Sequence, residues 1–384
     1  MKKSIITVLI LFLLIGSCSK RNTTRDYRDF LVEDIIVDES DEVISKIQYY
    51  SFEKMFYGDT VEKFIYMANL HKQCKYQLKN TVIIYDLETK QFDTILKNYH
   101  SCIRRCYPVT RDSIFYMGAY GDNNLYCITK DSLYTWHIPS ELSLHGFGND
   151  FDVIGKLFCD KLFVYDNLFI VQVSPPFDYD NKRYVYDYPL GIFFSIEDGH
   201  LRLIAQKGYY PEKELENNFY AATQLNIAYN NKTKDVVFWH PMLNKVRIEN
   251  LENDEVTEKE IKSRYFKTPE NITRDQRNDN QYYRNYHCTN NEFIDLQFDQ
   301  YRDVYISTLK MPRLEESEDK MTKNLKVACC IQVFDSEFNF KYEFFFPDTV
   351  VGYTFPVKIR KDGVYMFKRD FDEDKRKFGK FIFN

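Results

Sequence analysis

Residues 162–173 read Leu162-Phe-Val-Tyr-Asp-Asn-Leu-Phe-Ile-Val-Gln-Val173. Two short runs of apolar, β-branched and aromatic side chains are split by Asp166-Asn167, a pair suited to the tight turn of a β-hairpin. The same unit recurs along the chain. Thr81-Val-Ile-Ile-Tyr85 passes through Asp86-Leu-Glu-Thr-Lys90 into a second apolar run over 91–96. Residues 113–117 and 125–128 flank a turn-rich stretch at 118–124, and 132–138 follow. Residues 191–196 and 201–205 flank Glu197-Asp-Gly-His200, and Asp235-Val-Val-Phe-Trp239 and Lys245-Val-Arg-Ile-Glu249 flank His240-Pro-Met-Leu-Asn244. Further runs at 292–298, 303–309, 326–334, 338–346, 355–359, 364–368 and 378–383 carry the pattern to the C-terminus. Helical periodicity is sparse, and 212–222 is its best instance.

Strands at this spacing predict an all-β fold, and their number favours a repeat architecture over one sandwich. Equivalent turns fall near Leu87, Lys130, Asp198, Glu252, Ser336 and Glu373, a mean step of about 57 residues. Six turns predict a six-bladed β-propeller. Seven blades is the alternative, because the span from Glu252 to Ser336 is wide enough to hide one. The polar stretch 263–291 reads as an insertion. No tryptophan–aspartate or glycine–histidine signature marks a WD40 or kelch array. Residues 34–37 or 43–50 are the candidates for an N-terminal strand that closes the last blade.

Composition supports this reading. Of 384 residues, 31 are Tyr, 32 Phe and only 13 Gly, a bias toward strand formers. Hydrophobic residues at 44% and charged residues at 28% exclude a mostly disordered chain and a polytopic membrane protein. A net charge of −5 argues against a nucleic-acid partner.

The first segment reads as an address. Lys2 and Lys3 precede an apolar run over 5–15, and Ile15-Gly16-Ser17-Cys18 follows. Basic residues, a short apolar core and a small-small-Cys end form a lipoprotein signal, with Cys18 as the lipid-attachment residue. The domain plan is a signal peptide over 1–17, a polar tether over 18–30 and one propeller over 31–384. Multiple acyl chains on Cys18 would anchor the protein stably to a membrane. Ser19-Lys20-Arg21 is basic, where surface-exported lipoproteins with such leaders carry acids. The expected location is therefore the outer membrane, facing the periplasm.

Eight further cysteines are Cys74, Cys102, Cys106, Cys127, Cys159, Cys288, Cys329 and Cys330. Export permits disulfides, but Cys127, Cys159, Cys329 and Cys330 lie in apolar strand-like runs and read as buried thiols. Cys102 and Cys106 have no second pair at ligand spacing, so no metal site is expected.

The leader, the unit Ile84-Tyr-Asp-Leu-Glu-Thr-Lys90, Arg111-Asp-Ser-Ile-Phe-Tyr116, Lys262-Ser-Arg-Tyr-Phe266 and Phe298-Asp-Gln-Tyr-Arg-Asp-Val-Tyr305 together resemble an uncharacterised TolB-like, six-bladed β-propeller lipoprotein family of Bacteroidota. The resemblance implies fold and location, and no known activity. Members often carry a Gly-Pro-Asn-Gly loop between the first two blades. Here that region reads Cys102-Ile-Arg-Arg-Cys-Tyr-Pro108.

The chain has no nucleophile elbow, zinc-protease helix or P-loop. Asp178, Asp180, Asp370, Asp372 and Asp374 lack calcium-loop spacing and read as solvated acids. The candidate binding residues are His145 and Asp150 of His145-Gly-Phe-Gly-Asn-Asp150, His240 at a strand end, and the pairs Arg264-Tyr265 and Tyr301-Arg302. Arg beside Tyr suits a carboxylate or a sugar. Asp-Ser/Thr-aliphatic tripeptides at 59, 93, 112, 131 and 348 resemble O-glycosylation acceptors and equally suit strand entry. The expected role is a monomeric binding or scaffold propeller for an envelope protein or small ligand, without a cofactor. A glycan-active hydrolase or lyase is the alternative, its catalytic groups on separate blades.

Overall fold

The computed structural model describes residues 25–38, 54–58, 64–69, 80–86, 89, 92–99, 103–110, 113–118, 124–129, 131–138, 159–173, 189–209, 225–270, 272–312, 328–346, 357–368 and 375–383. The strands run β1 (Arg25–Asp26), β2 (Leu31–Asp38), β3 (Lys54–Gly58), β4 (Phe64–Asn69), β5 (Asn80–Asp86), β6 (Phe92–Tyr99), β7 (Ile103–Thr110), β8 (Ser113–Gly118), β9 (Asn124–Thr129), β10 (Leu133–His137), β11 (Cys159–Tyr165) and β12 (Leu168–Val173). They continue as β13 (Gly191–Glu197), β14 (His200–Lys207), β15 (Asn226–Asn230), β16 (Asp235–Trp239), β17 (Lys245–Asn250), β18 (Val256–Glu260), β19 (Glu292–Asp299), β20 (Val304–Lys310), β21 (Cys329–Asp335), β22 (Phe340–Phe346), β23 (Lys358–Arg360), β24 (Gly363–Lys368) and β25 (Lys375–Phe381). Helices α1 (Arg274–Asn278) and α2 (Asn280–Thr289) lie between β18 and β19.

The fold is an all-β β-propeller. The described strands form six sheets: β3–β6, β7–β10, β11–β14, β15–β18, β19–β22 with β1 added at its edge, and β23–β25 with β2. They are called first to sixth below. Each of the first five is a meander of four consecutive strands. In the sixth, β2 runs antiparallel to β25, with Asp34 opposite Gly379 and Ile35 opposite Phe378. That is the closing strand expected at 34–37, whereas 43–50 lies outside the described residues. The first strands of several sheets meet side by side, β3 against β7, β7 against β11, β15 against β19 and β23 against β3, and shared cores join the third sheet to the fourth and the fifth to the sixth.

The span from Glu252 to Ser336 contains no separate sheet among the described residues. Its strands complete the fourth and fifth sheets, and α1 and α2 fill the polar stretch. Thr273 caps α1 in a reciprocal box with Gln276, and Asp279 caps α2 by accepting from the Gln281 and Tyr282 N–H groups. The helical candidate at 212–222 lies outside the described residues. The first described strand, β1, begins at Arg25. Phe30 is buried and stacks on Phe344 at 4.8 Å, so it packs with the core.

Adjacent sheets share their cores. On β16, Val236 and Phe238 pack toward the third sheet, and Val237 and Trp239 toward the fifth. On β20 and β21, Val304, Ile306, Ile331 and Val333 pack toward the sixth sheet, and Tyr305, Leu309 and Cys330 toward the fourth. A strand covered on both faces needs no polar alternation, which explains the unbroken apolar runs. Cys127, Cys329 and Cys330 are buried free thiols, while Cys288 is free and exposed. Burial pushes the Cys329 thiol up to about 12.

Trp239 anchors the contact between the fourth and fifth sheets. Its ring lies 3.9 Å from Phe293, and its Nε1 donates to the Leu243 carbonyl at 2.8 Å. Replacing Trp239 by Ala is expected to cost about 3–5 kcal/mol, read as a lower urea midpoint at unchanged slope. A midpoint equal to the parent's would contradict this packing.

Candidate functional site

An antiparallel meander puts its first and third turns at one end and its second turn and outgoing connection at the other. The first end carries short turns: 166–167, 198–199, 231–234, 251–255, 300–303, 336–339 and 361–362. The second end carries the long connections: 138–158, 174–190, 208–225, 261–291, 311–328 and 347–357. The two ends of the ring therefore differ in character.

The short-turn end is stitched together. Asn230 accepts from the Lys232 and Thr233 N–H groups, and Asp299 accepts from those of Tyr301 and Arg302, so adjacent sheets end in the same turn. Asn231 donates to Gln300 at 3.0 Å, and Lys232 pairs with Asp303 at 2.8 Å. Arg302 pairs with buried Asp299 at 2.5 Å and donates to the carbonyls of Arg360 and Lys361. These contacts tie the turns of the fourth, fifth and sixth sheets. The guanidinium of Arg302 is thus engaged in the scaffold, and Tyr301 stands exposed beside it.

Arg264 and Tyr265 lie at the opposite end, in the connection after β18. β19 separates the two pairs, and eight residues of strand span about 25 Å. The structure therefore does not bring Arg264-Tyr265 and Tyr301-Arg302 into one site. His240 is buried in the β16–β17 turn, where its Nδ1 accepts from the Met242 N–H at 3.2 Å. It therefore stabilises the turn that follows β16. His145 and Asp150 fall outside the described residues.

Arg264 borders a groove of about 340 Å³ between the outer strands of the fourth and fifth sheets. Its walls include Asn244, Glu260, Lys262, Ser263, Phe340 and Glu343. Glu343 is buried at the floor, where a carboxylate requires partners. It accepts from Ser263 Oγ at 2.9 Å, the Arg264 N–H at 2.8 Å, Arg264 Nε at 3.3 Å and Gln332 Nε2 at 3.2 Å. Glu260 accepts from Asn244 at 3.2 Å, and Lys262 is exposed at the mouth. Tyr265 leans on Phe345 at 5.8 Å, and burial raises its phenol pKa. Both signs of charge, amide and hydroxyl groups and aromatic edges meet here, as polar ligands require.

A second cluster joins α2 to the fifth sheet. Glu292 stands opposite Lys310 in the ladder, and the Lys310 ammonium reaches it at 2.7 Å. His287 Nδ1 lies 3.1 Å from the same carboxylate oxygen, and Lys310 also donates to the His287 carbonyl. Burial alone would raise the Glu292 pKa. The His287 hydrogen bond and the Lys310 charge outweigh it and hold the carboxyl at about 2. A group so firmly ionised is a poor proton carrier near neutral pH, so the cluster acts as a clamp. Among the described residues, no group of three or more His, Cys, Asp or Glu has the arrangement of a metal site.

The folded-state pKa of Glu292 lies below its ordinary value of 4.5. Its stabilisation is therefore complete above pH 4.5 and is lost as the pH falls through about 2. Its size is on the order of 3 kcal/mol. The stability difference between the parent and Glu292→Gln should shrink across that window in urea titrations. A constant difference would refute the clamp.

No family model and no curated protein matches this chain. Among solved structures, it is similar to a member of the DUF4221 family from Bacteroides vulgatus. The TM-score is 0.64 at 16% identity, over 94% of this chain and 99% of that one. It also overlaps a luciferin-regenerating enzyme at a TM-score of 0.45 and 8% identity, covering 90% of this chain and 95% of that one. The first likeness extends to the fold: the chain shares the propeller architecture of a domain of unknown function.

Proposed function

We propose that the chain is a TolB-like envelope lipoprotein, anchored through Cys18 to the outer membrane and facing the periplasm, whose propeller binds a protein or small polar ligand. Six sheets support a six-bladed ring. The observation that carries the binding role is the groove beside Arg264. Its floor carboxylate is saturated by hydrogen bonds, while Glu260 and Lys262 at its walls are exposed to an incoming ligand. Glu343 engaged in this way supports recognition over turnover, because a catalytic carboxylate must exchange protons or attack.

Two measurements test the proposal. Thermal-shift screening of carboxylated and neutral saccharides and short peptides should find a ligand. Glu260→Gln with Lys262→Ala should weaken its binding at least tenfold at an unchanged midpoint without ligand. Undiminished binding by that variant would exclude the groove, and ligand hydrolysis by the parent would favour an enzyme. Cys18→Ala should move the protein from the membrane to the soluble fraction. Equal solubility of both forms, with no acyl mass on the parent, would remove the anchor.

A further inference from the structure

Resting on the Cys18 anchor proposed above, we infer that the outer edge of the fifth sheet, β22 with β1 beside it, faces the bilayer, and that the groove beside Arg264 opens at the membrane surface. The reason is where the chain enters the fold. β1 adds parallel to the free edge of β22, with Arg25 opposite Phe344 and Asp26 opposite Phe345. Asp26 then accepts from the Arg28 N–H and guanidinium at 2.9 Å, fixing the turn. Phe30 locks the segment by packing on Tyr342, Phe344 and Phe383. The entry point is therefore part of the core and cannot drift around the ring.

Seven residue steps separate Cys18 from Arg25. Whatever conformation they take, they span at most about 25 Å. A domain of this length has a radius of gyration of about 20 Å and a width of about 50 Å. The acyl chains can therefore lie under the fifth sheet and its neighbours, and cannot lie under the far side. This decides between two surfaces. Leu133, Tyr134, Leu203 and Ile204 on β10 and β14 are exposed apolar residues, yet they belong to the second and third sheets. At the β22 edge, Phe345 is 37% exposed with Tyr265 against it, and Lys341, Lys262, Arg264 and Lys267 are exposed nearby. Aromatic rings beside cations match the headgroup layer of an anionic bilayer.

The test uses the full acylated protein in vesicles of phosphatidylethanolamine and phosphatidylglycerol carrying a headgroup-linked nitroxide quencher. Tryptophan is placed at an exposed position on each side, Phe345→Trp or Leu203→Trp, and the parent supplies the background of Trp136 and Trp239. The added emission should fall at least twofold at position 345 and stay unchanged at 203. Quenching at 203, or equal responses at both sites, would overturn the orientation while leaving the anchor intact. Failure of the acylated parent to float with vesicles, where Cys18→Ala also fails, would overturn the anchor and the orientation together.

Discussion

The pairing of β2 with β25 holds the two ends of the chain in one sheet, and the geometry of the ring follows from it. Leu31 sits opposite Phe381 and Asp38 opposite Lys375, so about 350 residues are closed into a loop. Closing a chain of that length costs about 5 kcal/mol in conformational entropy. Burying Phe30 and Phe383 at the same seam contributes about 1.5–3 kcal/mol each, a sum comparable to that cost. Once β2 is in place, β23 lies against β3, and every sheet has a neighbour on each side. The inner strands then have no exposed face, and an apolar run such as Asp235-Val-Val-Phe-Trp239 becomes stable there.

Burial on both faces has an electrostatic consequence. Leu296, Ser307, Gln332 and Glu343 stand opposite one another across four strands, and all are buried. A carboxylate at the end of that row has no access to bulk water, and an unpartnered one would cost several kcal/mol. Two partners, Gln332 and the Cys330 thiol, come from the same sheet. The others come from Ser263 and Arg264, in the connection leaving the fourth sheet. The need to satisfy Glu343 thus draws residues 261–268 over the gap between the sheets, and the space left beside them is the groove. The clamp at Glu292 works similarly, since Lys310 and His287 both converge on one carboxylate and hold α2 against the ring.

The strands were legible because their chemistry is local: β-branched and aromatic runs between Asp-Asn, Asp-Gly and Asn-rich turns. Five of the expected turns fall between the third and fourth strands of a sheet. The one near Glu373 falls in the connection between β24 and β25, because the fourth strand of that sheet comes from the N-terminus. Helix α2 was hidden because Tyr282, Tyr283 and Tyr286 replace the aliphatic stripe that marks an amphipathic helix. Its caps at Thr273 and Asp279 were nevertheless present in the sequence. The functional residues were harder. Sequence proximity joined Tyr301 to Arg302, but Asp299, three residues before Arg302, consumes that guanidinium. Glu292 and Lys310 become visible only when β19 is laid against β20 in register. Glu343 could have been flagged as a charge amid the phenylalanines of β22.

The two ends of the ring then divide the work by a simple constraint. A turn of two to five residues can do little besides reverse the chain, and its polar groups are used up by its own backbone and by the next turn, as Asn230, Asp299 and Arg302 show. A connection of a dozen residues or more has side chains to spare, and here these include the exposed Lys262 and the helices α1 and α2. The groove beside Arg264 therefore lies where the connections are long, and the end stitched by short turns keeps the sheets in register. The N-terminal strand adds a constraint of its own, because β1 fixes the sheet at which the chain enters the fold. The groove and that entry point share β22. A ligand held beside Arg264 is consequently held close to where the chain enters the fold.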